Sequence, residues 1–129
     1  MCQMRGLLAG QGKFDAFQLA RYYGYWIHMK PFDIGQTTLC GLGPLAPIRN
    51  KPDPQVAYNA AARGVRATSL SNGSLMRATP LAVWSQHLNL TELRQVVGAD
   101  VRMTHAMPLM TDCVTAYCIA IRTLLANAG

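Results

Sequence analysis

Apolar residues recur along this chain at helical spacing, and convincing strand alternation is missing. Ala16, Leu19, Ala20, Tyr23, Trp26 and Ile27 fall at i, i+3, i+4, i+7, i+10 and i+11, the stripe of an amphipathic helix. Lys30-Pro31 closes it, because a residue ahead of proline is pushed out of the helical region. A loop-rich stretch runs from Pro44 to Pro54. There Asp53 caps, and Pro54 takes the first position of a helix predicted to reach about Val65. Asn89 and Glu92 stand in capping-box relation ahead of Leu93, Val96, Val97 and Val101. Met110, Cys113, Val114, Tyr117, Ile121, Leu124 and Leu125 share one stripe of a long helix opening near Pro108. No repeat or linker divides these pieces. The pattern predicts an all-α domain.

Composition narrows the class. At 129 residues, half of them hydrophobic and 14% charged, the chain has the size of one domain and is too apolar for a disordered tail. Its carboxylates are Asp15, Asp33, Asp53, Asp100, Asp112 and Glu92, and the net charge is +6. That surplus suits an anionic ligand, nucleic acid or an acidic partner without choosing among them. Cys2, Cys40, Cys113 and Cys118 form no CxxC pair and no zinc-ligand spacing. With no signal peptide at Met1–Gly12, buried thiols in a reducing, cytoplasmic setting are expected, with core packing for Cys113 and Cys118. The charge-free run Cys113–Ile121 is about half of what a membrane span needs, so no membrane partner is expected.

Three segments are candidates for chemistry. Ser71-Asn72-Gly73-Ser74 is a small polar run ahead of Leu75–Trp84, which reads as helical with a break near Pro80. Such a run can leave backbone N–H groups free to face a phosphate, with Gly73 allowing close approach and Asn72 and Ser74 reaching sugar hydroxyls. The same residues equally make an ordinary turn with Ser74 as N-cap, which composition alone favours. Asp33–Thr38 is a second small polar run, whose plain reading is a capped helix start. Thr104-His105 falls between two helical patterns, where a histidine serves either a ligand or the core. His28 and His87 receive no role.

The order of these segments resembles the ADP-ribosylglycohydrolase family, along nearly the whole chain. Trp26 followed by Pro31-Phe32-Asp33-Ile34-Gly35-Gln36-Thr37-Thr38 resembles the family's Trp-to-"DIG-x-TT" segment. Asn72-Gly73-Ser74-Leu75-Met76-Arg77-Ala78-Thr79-Pro80-Leu81 resembles its "NG-(S/A/C)-x-MR-x-xPL" signature, and Thr104-His105 with Pro108 its "TH-x-x-P" stretch. The resemblance implies an orthogonal all-α fold around two divalent metal ions, magnesium or manganese. It also implies hydrolysis of the bond joining ADP-ribose to a protein side chain or a small molecule. It assigns Gly35, Thr37, Thr38, Asn72, Gly73, Ser74, Met76 and His105 to the ADP-ribose cleft as substrate-binding residues.

The family's metal-binding Thr-Asp-Asp and Asp-x-Asp-Thr motifs do not occur in this sequence. Residues 1–129 are therefore expected to be a partial domain, a fragment without catalytic or metal-ligating residues of its own and inactive alone. Apolar stripes that presume further partners predict self-association. Two alternatives remain: a non-catalytic ADP-ribose or nucleotide-binding module, and a basic helical interaction protein. Arginines spread from Arg5 to Arg122 without one dense run weaken the nucleic-acid case, so no nucleic-acid partner is expected.

Overall fold

A computed structural model describes residues 1–64 and 67–128, and every regular element among them is helical. The helices are α1 (Cys2–Ala9), α2 (Ala16–His28), α3 (Gln36–Leu42), α4 (Pro54–Arg63), α5 (Gly73–Met76), α6 (Thr79–Trp84), α7 (Leu90–Val101) and α8 (Pro108–Asn127). Two 3₁₀ turns, Gly43–Leu45 and Ser85–His87, follow α3 and α6. The all-α class is as the pattern predicts.

Local chemistry sets the boundaries. Asp15 starts α2 by accepting from the N–H groups of Phe17 at 2.8 Å and Gln18 at 3.3 Å. The helix ends at His28, and Lys30 adopts φ 52°, the left-handed turn that carries the chain to Pro31. Asp53 accepts from Gln55 N at 2.9 Å, with Pro54 in the first turn of α4. The expected end of α4 near Val65 lies outside the described residues. Asn89 and Glu92 close the capping box of α7 with two bonds of 2.9 Å.

Two starts differ from expectation. Gly35 heads α3 with no side-chain cap, and Asn72 heads α5 likewise. Ser74 is thus no cap but lies inside α5, fully buried. The break in Leu75–Trp84 comes at Arg77-Ala78, ahead of Pro80, because proline fits the first turn of a new helix better than the interior of an old one.

One core joins the elements. Leu7 of α1, Leu19 and Tyr23 of α2, Leu42 and Leu45 around the first 3₁₀ turn, Leu81 of α6, Leu93, Val97 and Val101 of α7, and Val114 of α8 are buried together. Helix α6 touches both α1 and α8, while α7 packs on α8. Helix α3 leans on α4 and on the 3₁₀ turn beside α2. Gly41 makes one approach possible, since a Cβ there would lie 2.3 Å from the Met103 carbonyl oxygen.

Helix α8 departs most from its predicted stripe. Met110, Val114, Thr115 and Cys118 are buried, but Cys113, Leu124 and Leu125 are exposed. Cys113 therefore does not pack in the core; it sits one residue ahead of Val114 and is rotated off that line. Only Cys118 has a fully buried thiol, and burial pushes it up to about 11. The whole helix has 20 residues with mean hydropathy 1.4 over its most apolar window, tolerating Asp112 and Arg122. By length and composition alone that is enough to cross a bilayer, more than the charge-free run suggested.

Candidate functional site

A cleft of about 740 Å³ opens between the start of α1, the inner face of α2, the segment leading into α3 and the turn around α5. Six residues singled out from sequence line it: Gly35, Thr37, Thr38, Asn72, Gly73 and Met76. They come from two stretches more than thirty residues apart in the chain. A hydrogen bond of 2.8 Å between Thr37 Oγ1 and Ser69 Oγ ties those stretches together. A Cβ on Gly73 would come within 2.7 Å of Thr38 Oγ1, so the glycine lets α5 close onto α3. Met76 lines the cleft and is 77% exposed, while Tyr23, Trp26, Leu42 and Pro80 give it apolar wall.

The other two predicted residues do not line it. Ser74 is fully buried, and its hydroxyl has no hydrogen-bond partner among the described residues. His105 is also fully buried, with Nδ1 2.7 Å from Thr104 Oγ1 and Nε2 3.1 Å from Ser71 Oγ. It meets the cleft through Ser71, which does line it. Burial, with the neighbouring Arg77 charge, lowers the His105 pKa and keeps the ring neutral.

Beneath the cleft floor lies a polar network that composition did not reveal. Asp100 on α7 is fully buried and takes the Tyr23 hydroxyl on Oδ1. Arg77 donates Nε to Asp100 Oδ2 at 3.1 Å, Nη2 to the Asp100 carbonyl at 2.8 Å and Nη1 to Thr104 Oγ1 at 3.0 Å. A longer bond of 3.4 Å from Nη1 reaches the Gly73 carbonyl, so the guanidinium also holds the cleft turn. The same group sits 5.4 Å over the Tyr23 ring. Burial and the Asp100 charge push the Tyr23 hydroxyl well above its usual range, so it stays a neutral donor. Burial alone would lower the Arg77 pKa, but Asp100 and Tyr23 outweigh it and raise it.

The sequence carried a signal for this. Asp100 is seven residues beyond Leu93 and in phase with Val96, Val97 and Val101, so the stripe places a carboxylate on the buried face. A buried carboxylate requires a partner. Arg77, inside a quoted motif, is that partner.

A model of the ADP-ribosylglycohydrolase family matches residues 1–129. The chain belongs to the ADP-ribosylglycohydrolase family. No curated protein and no solved structure matches it. The cleft residues drawn from the family motifs thus sit in a family member. The two segments that carry the motif glycines and threonines line one opening.

The family is generally metal-dependent, and the residues described here do not fit a metal centre. Among them no three His, Cys, Asp or Glu side chains gather closely enough to hold an ion. Among the described residues, Asp33 is the one carboxylate on the cleft wall. Asp100 is committed to Arg77 and Tyr23. Asp15, Asp53 and Glu92 cap helices, and Asp112 pairs with Arg94 on the surface.

Proposed function

We propose that the cleft takes the ADP-ribosyl group of an ADP-ribosylated protein side chain or small molecule. On this reading these 129 residues contribute binding and orientation to the family's hydrolytic reaction. One observation carries it: two separate motif segments, through Gly35–Thr38 on one side and Asn72, Gly73 and Met76 on the other, line a single cleft. The cleft mixes what such a ligand needs. Trp26, Leu42, Pro80 and Met76 offer apolar area for a base, and Thr38 and Asn72 offer hydrogen-bonding groups for ribose and phosphate oxygens. A net charge of +6 favours an anion over a neutral competitor.

This chain's own residues do the holding. Met76 and Trp26 bracket the cleft, Thr38 and Gly73 set its width, and the Arg77–Asp100 pair fixes the turn that carries Asn72. Water activation and carboxylate-held magnesium or manganese chemistry are not assigned to any residue here. The 129-residue chain on its own is expected to bind ADP-ribose without cleaving ADP-ribosylarginine.

Calorimetry with ADP-ribose tests the reading. Saturable binding, unchanged by a chelator and insensitive to DNA competitor, is the expected result. Absence of binding to the folded chain, or a steep salt-dependent affinity for DNA in its place, would reverse it.

A further inference from the structure

A second polar face lies across α2 from the cleft. Tyr23 turns inward and lines the cleft, whereas Tyr25, two residues on, points to the other side of the helix and is 40% exposed. The Tyr25 hydroxyl donates to Asn50 Oδ1 at 2.9 Å, and the Arg49 guanidinium sits 5.9 Å over its ring. Arg49 Nη1 in turn donates to the Ala46 carbonyl at 2.8 Å. Arg102, just past the end of α7, repeats the arrangement. Its guanidinium lies 5.2 Å over the ring of Tyr58 on α4, and its Nε donates to the Gly98 carbonyl at 3.1 Å. Helix α2 touches both α4 and α7, so the two pairs belong to neighbouring elements.

Among the described residues, neither arginine pairs with a carboxylate; the ion pairs there are Arg77–Asp100 and Arg94–Asp112. Along α2 and residues 46–63 the charged side chains are Arg21, Arg49, Lys51, Arg63 and Asp53, and Asp53 is spent capping α4. Arg102 is exposed, and with Nε on Gly98 both of its terminal nitrogens face outward without a partner among the described residues. Arg49 is half-buried, and none of its unbonded nitrogens is sealed from solvent. A carbonyl fixes one N–H of each group and a tyrosine ring fixes its plane. The remaining donors form a fork that is set before a ligand arrives, with little rotamer freedom left to lose.

We propose that this face docks an acidic segment of a partner protein, with Arg49 and Arg102 each taking a carboxylate. Two fixed forks on separate elements suit carboxylates spaced along an extended chain. The tyrosine faces that would stack nucleic-acid bases already carry the guanidinium groups, which favours the acidic protein over a single strand. The net charge of +6 adds attraction for the same partner. This surface is separate from the cleft and does not depend on what the cleft binds.

Fluorescence anisotropy with a labelled hexaglutamate peptide, and with hexathymidylate of similar charge, tests it at about 0.15 M salt. The wild type is expected to bind the peptide about three-fold or more tighter than the oligonucleotide. Arg49→Ala and Arg102→Ala should each weaken the peptide about three-fold or more. Arg49→Lys and Arg102→Lys keep the charge and the stem but lose the fork, and should still weaken it about two-fold. Lys13→Ala, the same charge loss beyond the other end of α2, should stay within about 1.5-fold of wild type at this screening. Matching helical dichroism identifies the variants that are folded, and the lysine pair alone suffices if an alanine variant is not. Equal losses in Lys13→Ala and the arginine variants would reduce the effect to diffuse charge and overturn the proposal. So would lysine variants that bind like wild type, a wild type that ignores the peptide, or one that prefers hexathymidylate.

Discussion

Arg77 Nε lies 3.1 Å from Asp100 Oδ2, and this pair connects the turn at the cleft to the middle of the core. Asp100 has no exposed side-chain surface, and the Arg77 side chain keeps 14%. Such a pair adds little beyond what well-packed apolar residues would give, yet it costs heavily when only one partner is removed. Asp100→Ala should destabilise the chain by about 3–5 kcal/mol in urea unfolding, since it strands a buried guanidinium. Tyr23→Phe should cost about 1 kcal/mol, one hydrogen bond with the ring packing kept. An Asp100→Ala variant as stable as wild type would show that Arg77 finds water instead.

The width of the cleft depends on one close approach. Gly73 is not in the left-handed region, so its role is space and not backbone freedom. An added methyl would meet Thr38 Oγ1 at 2.7 Å. Gly73→Ala is expected to cost about 1–3 kcal/mol. In the Thr38→Ala background the penalty should largely vanish, because the clashing atom is gone. A double-mutant cycle measures this, with a coupling of at least 0.5 kcal/mol or so expected for contacting residues. Strict additivity would place the cost of Gly73→Ala elsewhere.

Much of this fold is legible in the sequence. The stripe from Ala16 to Ile27 packs as its spacing requires, and the caps at Asp53 and Asn89 sit where side-chain chemistry puts them. Those are local rules, satisfied within one turn of helix. The cleft contacts are not local. Thr37 and Ser69 meet across 32 positions, and the Arg77–Asp100 pair spans 23. Periodicity gives the face on which a residue lies, not its partner. For the same reason motif membership could not separate Asn72, which lines the cleft, from Ser74, which lies buried behind it. The alternation along one short helix decides that, and this helix starts two residues ahead of the Ser74 cap that composition favours. The exposed end of α8 is a further case: a stripe predicts a partner, and Leu124 and Leu125 have none among the described residues.

Histidine burial adds a pH dependence with a definite sign. The ordinary histidine value of 6.5 applies to the unfolded chain, and the folded His105 value lies below it. Between the two, the unfolded state binds more protons. Stability from the neutral ring is therefore full above about pH 6.5 and is lost as pH falls through the folded value. The urea midpoint should fall between about pH 7.5 and about pH 5.5, and His105→Gln should flatten that slope. An identical slope in His105→Gln would assign the dependence to other groups.

Asn72 and Ser74 stand two residues apart in the same motif, and the structure predicts opposite behaviour for them. Asn72 is exposed on the cleft wall, and its side chain caps nothing, so the fold does not use it. Asn72→Ala should leave stability within about 0.5 kcal/mol of wild type, as surface changes usually do. It should weaken ADP-ribose binding several-fold to a hundred-fold, the range for a lost hydrogen bond to a polar or charged ligand of about 1–3 kcal/mol. Ser74 has the reverse character. Its hydroxyl is buried with no partner among the described residues, a group that costs desolvation and returns nothing. Ser74→Ala removes that cost without opening a cavity, so stability should hold or rise by up to about 1 kcal/mol. ADP-ribose affinity should not change, because the side chain cannot reach the ligand. Thermal melts and calorimetry on both variants check this directly. A loss of affinity in Ser74→Ala would mean that α5 unwinds when the ligand binds, bringing the serine hydroxyl into the cleft.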